Sequence, residues 1–330
     1  MTPLEIKEKF DQYIEGQEEA KKTLSLICAS LLRRREGAHI PKQNVLLIGD
    51  SGTGKSYLIH VMSRLFDIPM AVSDATRLTG AGYNGEDTDE VLERLIIDAR
   101  TKSRPRGDLD YLKAAENGMV FIDEFDKIAG KRFLERSDEM VQAELLKMTE
   151  GAEIDLNNHG IPAITRAKPV LDTRNITFVF AGAFMGLHRK NNLLFSPFNS
   201  DYSIVNSELR EALIEYGFTH ELVGRITDIV RMEPMSTDLL VKIMKESKES
   251  VLKEYEEMFR EDGKKLIIED GAYNVIAQKA IKDGSGARAI KNILSQIFKD
   301  AMFRSLGDPT VKAVRITAES AEKGMAEIGT

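Results

Sequence analysis

The chain has 330 residues, 42% of them hydrophobic and 30% charged, with 53 acidic side chains against 46 basic and a formal charge of −7. That suits one large or two ordinary globular domains rather than a disordered chain, and net acidity argues against a general nucleic-acid binder. The single cysteine, Cys28, allows neither an intrachain disulfide nor a thiolate zinc cluster, and no apolar run reaches the roughly 18 residues that would span a membrane. The charged start, Met1 to Phe10, does not read as a secretory signal, so the expected setting is the cytoplasm.

In chain order, apolar spacing predicts helix over 4–35, interrupted at Glu15-Gly16-Gln17. A buried strand over 44–48 leads into a glycine-rich loop and a helix over 57–66. Strand 69–72, helix 88–101, strand 119–122, helix 139–150 and strand 176–180 follow. Continuous apolar strands alternating with helices indicate a parallel sheet covered by helices. From Ser236 the pattern changes to one long helix over 238–259, a short strand 266–268, helices 272–281 and 287–306, and an alternating edge strand over 311–317. The expected fold is α/β, with a large nucleotide-binding domain over 1–232 and a smaller, mostly helical domain over 233–330.

The sharpest motif is Gly49-Asp50-Ser51-Gly52-Thr53-Gly54-Lys55-Ser56, a P-loop pattern lying between a buried strand and a helix. Its glycines let backbone N–H groups close around phosphates at a helix N-terminus. Lys55 is expected to reach the β- and γ-phosphates of ATP and Ser56 to ligate Mg²⁺. The strand Met119-Val120-Phe121-Ile122 ends in Asp123-Glu124, the Walker B arrangement. Asp123 is expected to hold Mg²⁺ and Glu124 to orient and deprotonate the attacking water, because phosphoryl transfer needs positioning and charge neutralisation above all.

Further segments, in order, carry a more specific likeness. They include Tyr13-Ile14-Glu15-Gly16-Gln17, Asp74-Ala75-Thr76, Ala81-Gly82-Tyr83-Asn84-Gly85-Glu86-Asp87 and Phe121-Ile122-Asp123-Glu124-Phe125-Asp126-Lys127-Ile128. Glu144 to Gly151, Gly182 to Leu187, Glu221-Leu222-Val223-Gly224-Arg225 and Gly284-Ser285-Gly286-Ala287-Arg288 complete the set. The chain thereby resembles the ClpX-type family of AAA+ protein unfoldases over roughly residues 1 to 318. The resemblance implies that Tyr13 and Ile14 lie against adenine, and that Arg225 is an arginine finger offered to a neighbouring subunit. It implies that Arg288 is a sensor-2 arginine, and that Tyr83 is a pore-loop aromatic gripping an unfolded polypeptide. It further implies a homo-oligomeric ring, a hexamer, acting on protein substrates.

Several features depart from the family pattern. The zinc-binding N-terminal domain has no counterpart, in keeping with one cysteine. The segments after Lys131, Gly151 and His188 are short or unmatched, and Ala181 and Gly182 stand where many AAA+ chains have a polar sensor-1 side chain. The peptidase-docking tripeptide Ile-Gly-Phe is absent, with Leu193-Leu194-Phe195 in about its place, which favours a stand-alone unfoldase or a different partner. The alternative reading, a nucleic-acid motor or loader, needs basic pore residues, whereas Tyr83 is followed by Glu86, Asp87, Asp89 and Glu90. The best basic run, Arg33-Arg34-Arg35, reads as a solvated helix end.

Overall fold

Four-to-six-residue apolar runs with no polar face suit strands buried on both sides, and they assemble here as the centre of a parallel sheet. A computed structural model describes residues 1–78, 88–102, 110–130, 136–155, 170–185, 187 and 202–329. Contacts divide the chain into two compact units. The first holds Met1–Lys7, Glu18–Asp50 and Lys55–Met232; the second holds Glu8–Gln17, Ser51–Gly54 and Glu233–Thr330.

The first unit begins with α1 (Pro3–Phe10), which runs into the second, and α2 (Glu18–Arg35). It continues with β1 (Val45–Ile48), α3 (Lys55–Leu65), β2 (Met70–Asp74), α4 (Thr88–Lys102), α5 (Asp110–Glu116), β3 (Met119–Asp123) and α6 (Arg136–Glu150). A hairpin, β4 (Glu153–Asp155) with β5 (Val170–Asp172), precedes β6 (Thr177–Gly182), α7 (Tyr202–Tyr216), α8 (His220–Arg225) and β7 (Asp228–Arg231). The sheet is parallel, in the order β2-β3-β6-β1-β7. β1 and β6 are buried at every position, as two helix-covered faces require. This is the expected α/β architecture, a parallel sheet flanked by helices with a smaller helical domain after it.

The second unit packs α9 (Thr237–Glu246), α10 (Val251–Glu261), α11 (Asp270–Asp283), α12 (Ala287–Ser305) and α13 (Ala318–Lys323) around Phe259, Ile276, Leu294 and Phe298. Its sheet has the order β10-β9-β8, from β8 (Lys265–Ile268), β9 (Ala313–Ile316) and β10 (Glu327–Gly329).

Two expectations are corrected here. The helix expected over 238–259 is two helices, with serines at the junction bonded to partners outside a continuing helical ladder. Ser250 Oγ donates to Met244 O at 2.7 Å, and Ser247 Oγ donates to Tyr13 O at 2.9 Å. The strand near 311–317 is the middle of its sheet, not an edge, because the chain end returns as β10 to cover it.

Candidate nucleotide site

In a parallel sheet the loops after the strands gather at one end, and both motifs lie there. The P-loop follows β1 and the acidic pair closes β3, with β6 between the two strands. Gly49 N donates to Gly182 O at the end of β6, at 3.2 Å, which fixes where the loop leaves the sheet. Gly54 has φ 92° with nothing within 4 Å of a notional Cβ, so backbone conformation alone demands glycine there. Gly52, φ 79°, is counted with the second unit, and a Cβ on it would come 1.9 Å from the Ser285 carbonyl oxygen. Lys55, in the first turn of α3, is 8% exposed, and its Nζ donates to the carbonyls of Gly49 at 2.5 Å and Asp50 at 2.9 Å.

Ser56 Oγ donates to Asp123 Oδ2 at 2.7 Å, which joins the two motifs directly. A hydroxyl beside a carboxylate is a hard-oxygen pair of the kind Mg²⁺ takes, with phosphate oxygens and water completing its shell. Among the described residues no group of three or more acidic, histidine or cysteine side chains could hold a metal by itself. Asp123 Oδ1 accepts the Glu124 backbone N–H at 2.9 Å, and Glu124 is bent to φ 52°, ψ 32° with no capping bond from its side chain. A glutamate in the left-handed region is strained, and the bend leaves its carboxylate exposed.

Behind Glu124 lies a support that the sequence did not reveal. Phe125 packs tilted on Phe180 and stacks on Phe218, with ring centroids 4.3 and 4.7 Å away, and Phe184 packs on Tyr216 at 5.4 Å. Asp126, inside this shell, accepts the Ala183 N–H at 3.2 Å and pairs with Lys127 at 3.3 Å; its charge, more than anything else, raises the Lys127 ammonium above its ordinary range. Burial pushes the Tyr216 phenol up, and the Asp126 charge adds to it. A Cβ at Gly182 would stand 2.6 Å from the Phe184 ring and 2.7 Å from Asp126 Oδ1. There is therefore no room for a polar sensor side chain at that position.

Arg225 lies elsewhere in the same unit. β7 runs parallel to β1 with Asp228 opposite Val45, so Arg225 precedes the strands while the P-loop follows them. Four residues of strand, about 13 Å at about 3.3 Å per residue, separate the two ends of the sheet. The guanidinium makes an ion pair with Glu150, Nη2 to Oε1 at 2.5 Å, the surface pairing that an ordinary arginine also makes. Its backbone is held by two side chains that local sequence does not flag. Asn44 Nδ2 donates to Arg225 O at 2.9 Å, and Arg210 donates to Val223 O, Ile226 O and Thr227 O at 2.8, 2.6 and 2.9 Å.

Within the second unit, Tyr13 has Lys248 Nζ 5.3 Å from its ring centre, and Ile14 is buried. Gln17, at φ 58°, donates to Thr53 O at 3.3 Å and exchanges two bonds with the Glu233 backbone at 2.9 and 2.8 Å. Arg288 is the exposed second residue of α12. Tyr83, the Lys131–Phe133 segment and Leu193–Phe195 lie outside the described residues. Arg33-Arg34-Arg35 is no basic patch. Arg34 is buried against Asn175 O and Thr177 Oγ1, both at 2.8 Å, and Arg35 caps the end of α3 through Phe66 O and Asp67 O.

Comparison with known proteins decides the family. A model described as the AAA domain (Cdc48 subfamily) matches residues 40–229, and one for the C-terminal, D2-small domain of ClpB protein matches 235–317. The chain is 37% identical over 328 residues to ClpX 2 of Wolinella succinogenes, named an ATP-dependent Clp protease ATP-binding subunit, which covers 96% of this chain and 80% of the relative. The chain belongs to the ClpX family of AAA+ ATPases. ClpX of Porphyromonas gingivalis is 36% identical, covering 91% of this chain and 77% of the relative, and ClpX of Azotobacter vinelandii is 32% identical, covering 98% and 78%. This ClpX-family chain therefore binds nucleotide and is an ATPase, and among its described residues no helix is long and apolar enough to cross a membrane.

Proposed function

We infer that this chain is the subunit of a homo-oligomeric ring, a hexamer, that uses ATP hydrolysis to unfold protein substrates drawn past Tyr83. The large and small domains are taken as 1–232 and 233–330. The P-loop amides and Lys55 hold the triphosphate, and Ser56 with Asp123 holds Mg²⁺, which when bound neutralises phosphate charge. Glu124 accepts a proton from the attacking water, and its bent backbone fixes where that carboxylate stands. Tyr13 and Ile14 flank the base, and Arg288 reaches the phosphates of its own chain. Arg225 gives positive charge to the γ-phosphate of the next subunit, where negative charge develops as the bond breaks.

The observation that carries this reading is the position of Arg225 at the opposite end of the sheet from the P-loop and Glu124, a separation longer than its side chain. The substrate class rests on the likeness to ClpX relatives over 91–98% of the chain. The nucleic-acid reading loses the basic run Arg33-Arg34-Arg35, since Arg34 is buried and Arg35 is spent on a helix end. The missing Ile-Gly-Phe favours a stand-alone unfoldase or one with a different partner, and the proposed setting is the cytoplasm. The test is Tyr83→Ala, with a fluorescent reporter fused to a segment captured from the host by the Glu124→Gln variant in ATP. Loss of reporter unfolding with ATP hydrolysis and Tm retained is expected; unfolding at the wild-type rate would remove Tyr83 from the mechanism.

A further inference from the structure

The chain fixes the backbone around Arg225 firmly, through Arg210 on three carbonyls and Asn44 on that of Arg225 itself. The side chain beyond it has four rotatable bonds, and ordering such a chain is costly. Among the described residues the guanidinium has one bonded partner, Glu150, the last residue of α6. A carboxylate is disfavoured at that end of a helix by the aligned peptide dipoles, so the needs of α6 do not explain it. The same helix grips the start of α8. The Gln142 amide, 1% exposed, donates to Ile128 O and Gly217 O at 2.8 and 3.2 Å and accepts the Thr219 N–H at 2.9 Å. α6 thus touches the Arg225 segment at both ends.

We propose that Glu150 is a positioning residue for Arg225, aiming the guanidinium that one subunit presents to the next; this rests on the proposed trans role of Arg225. The contact engages Nη2 alone and leaves donors on Nη1 and Nε for phosphate oxygens. Both side chains are about half exposed, 49% and 45%, so a phosphate can reach the arginine without first breaking the pair.

Glu150→Ala lowers kcat for ATP by up to about fivefold, the limit set by an exposed ion pair. KM stays unchanged, because the arginine acts on charge that develops in the transition state. Glu150→Gln, which keeps the acceptor, recovers at least half of the loss. The double variant Glu150→Ala/Arg225→Ala is no slower than Arg225→Ala alone. Rings co-assembled from Glu150→Ala and Glu124→Gln subunits regain activity, since the first kind has an intact site and the second an aimed arginine. Wild-type or raised kcat in Glu150→Ala, an additive double variant, or mixed rings without rescue each overturn the proposal. Arg225→Ala is measured in parallel. If it keeps its activity, the trans reading of Arg225 fails; if it is inactive and rescued by Glu124→Gln while Glu150→Ala behaves as wild type, only the role of Glu150 fails.

Discussion

Glu124 sits at φ 52°, ψ 32°, a conformation that suits glycine, and its side chain is exposed and caps nothing. Holding a residue with a Cβ there costs about 1–2 kcal/mol. Replacement by glycine relieves that strain but adds about 0.5–1 kcal/mol of unfolded-chain entropy. Glu124→Gly should therefore leave the fold as stable or stabilise it, by up to about 1.5 kcal/mol, a rise in Tm of up to about 6 °C for a unit of this size. Hydrolysis should fall by about 10² or more, in line with the loss of a positioned general base. Glu124→Gln separates the two effects, because it removes the base and keeps the strained backbone. It should match the glycine variant in lost phosphate release and match wild type in Tm. Thermal melts and steady-state phosphate release on the three proteins decide it. A lower Tm for Glu124→Gly, or an equal rise for Glu124→Gln, would refute the strain argument; the second outcome would place the stress in repulsion with Asp123 instead.

Gly182→Ala should lower both Tm and ATPase rate, since its methyl would stand 2.6 Å from the Phe184 ring and 2.7 Å from Asp126 Oδ1. Overpacking of that kind costs about 1–3 kcal/mol, and a wild-type melt would show that the Asp126 turn yields freely. Burial lowers the Lys42 ammonium from its ordinary 10.5 to about 8, helped by the charges of Arg34 and Arg225. Between those pH values the unfolded chain binds the proton more readily than the fold, so stability should rise with pH across the window. Lys42→Met should be the more stable protein at pH 7, and its advantage should shrink between pH 8 and 10; an advantage constant with pH would refute the assignment.

The nucleotide motifs were legible because each is local, a strand, a fixed spacing of residues and a helix, and Ser56 and Asp123 meet as that grammar requires. What surrounds them was not legible, because it depends on partners far away in the chain. Asn44 bonds Arg225 O, the Phe178 N–H and Thr227, none of which its neighbours announce. Gln142 looks like any polar residue on an amphipathic helix until the fold buries it against the turn after Glu124. Arg34 followed the usual rule for a basic helix end and broke it, because the rim of β6 offered it Thr177 Oγ1. The backbone bend at Glu124 leaves no compositional trace, since glutamate is not a residue that marks such turns. The split of the 238–259 helix could have been suspected from Ser247 and Ser250, but helical periodicity runs through both.

The P-loop and Arg225 occupy opposite ends of one sheet, and on the proposed trans role of Arg225 every chain would have a donor end and an acceptor end. In the proposed ring, where one chain's arginine serves the next chain's nucleotide, the joints are head-to-tail, with two different surfaces meeting at each. An open stack always leaves one terminal nucleotide without its arginine and one arginine without a nucleotide. Closing the circle removes both defects in a single step, so activity per chain should climb abruptly with concentration as closed assemblies form. A single subunit lost from a closed circle silences at least the one site its arginine served, and the vacancy is felt on one side before the other.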